Sequence, residues 1–158
     1  MPSLSPGTPG AKEAYGIAIL RNDYSICIPS KALERYNITN NDLVLLTSTR
    51  KGEGGLAVLN YNYAKQTVFS QIIQQINDID LLVYIKSRPY ALTKVLQNRV
   101  FLNNDFMEAC NLKIGDKLLV IKSTTIAMSF SPVEIWKIKF LKRGFTEAVK
   151  NLEKLDIF

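Results

Sequence analysis

Ile26-Cys27-Ile28-Pro29, followed by Ala32, Ile38 and Asp42-Leu43-Val44-Leu45-Leu46, returns 74 positions later as Val100-Phe101-Leu102-Asn103, followed by Phe106, Leu112 and Asp116-Lys117-Leu118-Leu119-Val120. Self-similarity at a fixed offset makes the fold a question about repeats. Each copy opens with a short apolar strand and passes into a helix of one or two turns, Ser30–Tyr36 or Asn104–Cys110. In the second copy Asn103 or Asn104 supplies an N-cap. Asn37-Ile38-Thr39-Asn40-Asn41-Asp42 and Asn111-Leu112-Lys113-Ile114-Gly115-Asp116 come next. Their Asn, Gly and Asp residues suit left-handed backbone or bond their own chain. Val44 and Leu46, like Leu118 and Val120, then sit two apart and share one face of a strand. About 25 residues cannot enclose a core, so the copies are expected to bury their apolar faces against each other or against another chain.

Arg99-Val100-Phe101-Leu102, Leu112 and Gly115-Asp116-Lys117-Leu118-Leu119-Val120 resemble the signature of the AbrB/SpoVT/MraZ swapped-hairpin DNA-binding domains. That signature reads R-V-x-I-P, a short helix, then L-G-I-x-x-G-D-x-L-x-V. The second copy has the Arg, the apolar strand and the Gly-Asp, with Asn103 at the proline position. The first has Ile28-Pro29, Ile38 and Asp42, with Ser25 for the Arg and Asn41 for the Gly. The resemblance implies a β-rich α+β fold in which tandem swapped-hairpin units interleave into a barrel-like module. The expected organisation is a disordered leader at 1–13, a first unit at 14–61, a linking helix at 62–90, a second unit at 91–131 and a C-terminal helical segment at 132–158. The MraZ pattern Asp-x-x-x-Arg is absent from both short helices.

The resemblance also implies a transcriptional regulator that contacts double-stranded DNA through basic hairpins. Arg99 falls on the family's strand arginine and Lys94 near its first-strand basic position. Arg21, before Asn22-Asp23, is the basic residue of the first hairpin. Lys31 and Arg35, on the first short helix, match no family contact and are candidates by charge and location alone. The formal net charge of +6 suits a polyanionic partner, since neutralised phosphates release counterions. The excess is C-terminal: residues 1–79 hold seven Lys/Arg against six Asp/Glu, residues 80–158 thirteen against eight.

Phe69, Ile72, Ile76, Ile79 and Val83 repeat at helical spacing, which predicts a helix from about Tyr63 to Lys86, before Pro89. Leu81–Ile85, rich in β-branched and aromatic residues, also fits a strand. Ser131-Pro132-Val133-Glu134 reads as a helix start with Ser131 as cap and Pro132 in the first turn. Ile135, Ile138, Leu141, Phe145, Val149, Leu152 and Leu155 continue it, with Gly144 ending one helix and Thr146 opening another. The two stripes predict a homodimer or larger closed assembly. Trp136 and Phe140 offer the C-terminal helices a second surface for a protein partner, the basis of an alternative reading as an antitoxin-like interaction subunit.

Catalysis has little to draw on. The chain has no His, the commonest general base near neutral pH. It shows no phosphate-binding glycine loop, nucleophile elbow or metal-ligand spacing, and Lys51-Gly52-Glu53-Gly54-Gly55 reads as a hairpin connection. No catalytic residue, metal or cofactor is expected. Cys27 and Cys110, in apolar surroundings at non-equivalent repeat positions, read as ordinary thiols of a cytoplasmic protein. No apolar run approaches the ~18 residues of a membrane span.

Overall fold

Residues 14–49 and 54–158 are described by a computed structural model; the leader expected at 1–13 and Lys51–Glu53 of the hairpin connection lie outside them. In chain order the elements are β1 (Ala14–Ile19), β2 (Ser25–Cys27), α1 (Ser30–Arg35), β3 (Leu43–Ser48) and β4 (Leu56–Asn60). Then come α2 (Tyr61–Ala64), α3 (Ser70–Ile73), β5 (Val83–Ile85), β6 (Arg88–Lys94), β7 (Arg99–Phe101) and α4 (Asn104–Ala109). β8 (Lys117–Lys122), β9 (Ala127–Pro132), α5 (Val133–Lys142) and α6 (Thr146–Glu153) complete the chain. The fold is α+β and β-rich, built on one antiparallel seven-stranded sheet in the order β1-β8-β9-β4-β3-β6-β5. No helix among the described residues is long and apolar enough to cross a membrane.

The repeated residues make the same turns twice. Asn37 and Asn111, just past α1 and α4, are left-handed at φ 54° and 55°, and Asn41 and Gly115 follow at 72° and 92°. Asp42 and Asp116 each accept a 2.8 Å hydrogen bond from the backbone N–H three residues upstream, Thr39 and Lys113. The Asn103 side chain caps α4 by accepting from Phe106 N–H at 2.8 Å. Its counterpart, Pro29, has no oxygen to cap α1 with.

The units are joined strand by strand. β1 of the first pairs with β8 of the second, and β6 of the second pairs with β3 of the first. β2 and β7 pair in a separate two-stranded ribbon, with Ser25 opposite Phe101, Ile26 opposite Val100 and Cys27 opposite Arg99. At the offset of 74, Ile26 is the counterpart of Val100, so a pseudo-dyad passes through that pair. It leaves the sheet between β4 and β9. Leu46 faces Val58 as Val120 faces Phe130, and Ser48 faces Leu56 as Lys122 faces Met128. These counterparts then pair crosswise, Leu56 with Phe130 and Val58 with Met128, around Ala57–Ser129.

Two hydrophobic layers flank the sheet. One face, with Val44, Leu46, Leu118, Val120 and Phe130, packs against the ribbon and the short helices through Ile26, Val100, Ala32 and Phe106. The other face is covered in two halves. Ile17, Leu119 and Ile121 lie under Val133, Phe140, Ala148 and Leu152 of α5 and α6, while Leu45, Leu59, Tyr90 and Leu92 lie under Ala64, Phe69, Ile72 and Ile76.

Three expectations are corrected. The sheet does not close into a barrel: β1 and β5 are its edges. The chain end covers the β1 edge, with Ile17 N–H donating to Asp156 O at 2.8 Å and Phe158 N–H to Ile17 O at 2.7 Å. The segment 62–90 is not one linking helix but α2, α3 and β5, and β6 already begins at Arg88. Thr67 breaks it: its hydroxyl donates to Ala64 O at 2.7 Å and accepts from Phe69 N–H at 3.2 Å, a local bonding pattern that competes with the helix. The strand alternative for Leu81–Ile85 holds at Val83–Ile85. Ser131 does not cap α5; it is extended in β9 opposite Leu119, and Pro132 occupies the cap position with no side-chain bond. The two apolar stripes pack only in part within the chain: Ile76 and Leu152 are buried, Phe69, Ile72, Phe145 and Val149 half-buried, and Ile79, Ile138 and Leu141 exposed.

Candidate nucleic-acid interface

The ribbon on the pseudo-dyad carries the sequence's strongest candidate. Because strand side chains alternate, Ile26 and Val100 point into the core while Ser25, Cys27, Arg99 and Phe101 share the opposite face. Two hairpin loops flank it. Leu96 and Arg99 exchange both backbone bonds at 2.9 Å around Gln97 and Asn98, whose φ values of 52° and 60° match the twist of the strands. The first loop is one residue longer, with Arg21 N–H donating to Ser25 O across Asn22–Tyr24 and Tyr24 at φ 66°.

That extra residue has a chemical consequence. Asp23 in the longer loop accepts from Ser25 N–H at 3.1 Å and from the Ser25 hydroxyl at 2.6 Å. Arg99, diagonal to Ser25 across the ribbon, directs Nη1 at Ser25 Oγ (3.4 Å) and lies 3.8 Å from Asp23 Oδ2. The Ser25 bonds hold the Asp23 carboxyl below its ordinary pKa, with Arg99 adding to the effect. Side chains of Arg99 and Asp23 remain 34% and 53% exposed, so the pair is open to solvent. Sequence reasoning missed Asp23 because its partner is in the other unit; no local spacing signals the pair.

The other candidates are dispersed. Lys94 ends β6 opposite Leu43, exposed and without an ion-pair partner among the described residues. It borders a recess of about 350 Å³ floored by Leu46, Ala91, Leu102 and Phe106. Arg21 is exposed at the mouth of the first loop. Lys31 and Arg35 stand on α1, which leaves β2 beside the Gln97-Asn98 loop, as the bond from Ile28 N–H to Asn98 O shows. Arg35 lies 5.7 Å from the Tyr36 ring centre.

The pseudo-dyad that relates the backbones does not relate the charges. Lys31 and Arg35 correspond to Asp105 and Ala109 on α4, Arg99 corresponds to Ser25, and Lys94 corresponds by register to Ile19. Glu108 does have its counterpart, Glu34, so the α1 flank, with Lys31, Glu34 and Arg35, is weakly basic and the α4 flank, with Asp105 and Glu108, acidic. Cys110 is buried and its thiol is pushed up to about 12 by desolvation, so it is protonated and unreactive at neutral pH. Comparisons with protein-family models, with curated proteins and with solved structures find no match to this chain.

Proposed function

We propose that this chain is a double swapped-hairpin protein of the AbrB/SpoVT/MraZ kind, binding duplex DNA to regulate transcription through the outward face of the β2–β7 ribbon. The observation that carries this reading is the ribbon's position: two strands on a pseudo-dyad, with a solvent-accessible arginine. A two-stranded ribbon fits the major groove, and an arginine can clamp a guanine edge or a phosphate. Lys31 and Arg35, on the basic flank, are in position to neutralise backbone phosphates. The unequal flanks favour an asymmetric footprint on DNA over a palindromic one. A reducing cytoplasm is the compartment that suits two free thiols.

Affinity measured against salt concentration tests this. Binding is expected to weaken steeply as salt rises, with the log–log slope reduced by about 0.9 for each phosphate-contacting cation replaced. Lys94→Ala with Arg99→Ala then weakens binding while thermal unfolding stays in place. Unchanged affinity and slope in that double variant would remove the ribbon from the interface.

A second reading rests on α5. Ile138 and Leu141 are 52% and 58% exposed on a helix that also carries Lys137, Lys139 and Lys142 and ends at Arg143. Such a face suits an acidic protein partner, with the sheet serving assembly; a chain that binds no duplex at low salt favours this reading.

A further inference from the structure

We infer that Arg99 and Asp23 together form a reader for a single G·C base pair, an inference that rests on the DNA-binding reading above. In the major groove a G·C pair presents two acceptors, guanine N7 and O6, followed by one donor, the cytosine N4 amino group. The complement is two donors followed by one acceptor. Arg99 and Asp23 offer that order from two different units of the fold.

The hydrogen bonding in the free protein leaves the required groups available. Both contacts of Arg99 use Nη1, to Ser25 Oγ and toward Asp23 Oδ2. Among the described residues Nε and Nη2 have no partner and remain for the bidentate fork that guanine accepts. Asp23 is anchored through Oδ1, which takes both bonds from Ser25. Oδ2 faces the guanidinium and keeps its lone pairs for an amino donor. Ser25 thus positions both reading groups, and its burial fixes it in place.

Asp23 also disfavours the wrong duplex. A carboxylate beside the arginine repels phosphate, opposing attachment through the backbone alone, and it repels the O4 acceptor that thymine presents where cytosine has its amino group. The pseudo-dyad supplies no second copy of the reader, because the counterpart of Arg99 is Ser25. One fixed G·C position, without a mirrored one, is the expected signature.

Selection of bound fragments from random-sequence duplex DNA tests the inference, using the full-length chain, Arg99→Ala, Asp23→Ala and Asp23→Asn in parallel. The unaltered chain is expected to fix one G·C pair, preferred by about 5- to 150-fold over A·T. Arg99→Ala abolishes the preference. Asp23→Ala lowers it several-fold and raises affinity for unrelated duplexes. Asp23→Asn, which keeps an acceptor but loses the charge, raises affinity while retaining the preference. Arg99→Ala and Asp23→Asn should keep the unaltered chain's thermal unfolding midpoint within a few degrees; Asp23→Ala, which takes the acceptor from the buried Ser25 N–H and hydroxyl, unfolds lower, and its selection is run well below that midpoint. DNA binding with no fixed G·C position, or an Asp23→Ala preference equal to the unaltered chain's at every position, overturns the reader and leaves DNA binding standing. Failure of the unaltered chain to bind any duplex at low salt overturns both.

Discussion

Single residues carry most of the asymmetry in this molecule. Cys110 is the first case. Its thiol, held at about 12 in the folded chain against an ordinary 9.0, stays protonated where the unfolded thiol has ionised. The native state therefore binds the extra proton between those values, and stability falls as pH rises through that window. Cys110→Ala is expected to flatten that slope in denaturant melts at pH 8 and pH 11, while at neutral pH a thiol reagent modifies Cys27 before Cys110. Gly55 is the second case. At φ +102° a Cβ would meet Phe130 O at 2.3 Å, and Phe130 O is a backbone atom in the neighbouring strand. Gly55→Ala should cost about 1–3 kcal/mol, read from the urea midpoint, because both conformation and space oppose it. The Gly54-Gly55 pair is visible in the sequence as a turn; the close approach to β9 is not.

At the level of elements, the repeat proves longer than its sequence signature. By hairpin register Asn60 is the counterpart of Pro132, so α2 and α5 leave the sheet at equivalent points. The segment read as a linker is thus the first unit's version of the C-terminal helices, and each covers half of one sheet face. The cross-strand signature was legible because Ile26/Val100 and Asp42/Asp116 recur as identities of type and spacing. The shared tail was not, because α3 and α6 share no residues and cover different half-faces. Asn60 also carries what periodicity cannot show. It is buried, caps α2 by accepting from Tyr63 N–H at 3.1 Å, and donates to Tyr36 O at 2.8 Å and Asn37 O at 3.2 Å. Asn60→Ala strands those groups and should cost about 2–4 kcal/mol, whereas Asn103→Ala, at an exposed cap, should cost about 1 kcal/mol. Equal midpoint shifts in urea would show that burial of the Asn60 network adds nothing.

At the scale of the whole molecule, the strand pairing predicts one cooperative unit. Every strand of the first unit has a hydrogen-bonded partner in the second, through β1–β8, β2–β7, β3–β6 or β4–β9. Splitting the chain would bare Val44, Leu46, Val58 and Ile26 together. A fragment ending at Gln75 is therefore expected to be unfolded or self-associated, and the full chain to unfold in a single transition by circular dichroism and fluorescence alike. A stable, monomeric, well-dispersed spectrum from that fragment would refute the interdependence. Cross-pairing also sets the candidate interface: only when the units interleave do Asp23 of the first and Arg99 of the second meet.

Duplex DNA titrated into the isotope-labelled chain, followed by amide NMR shifts, tests the central claim most directly. The account predicts that shifts concentrate at Arg21–Cys27, at Gln97–Phe101 and on α1, and that raising salt reverses them. Shifts confined to α5 and the residues around Lys142 and Arg143, with the ribbon silent, would contradict it.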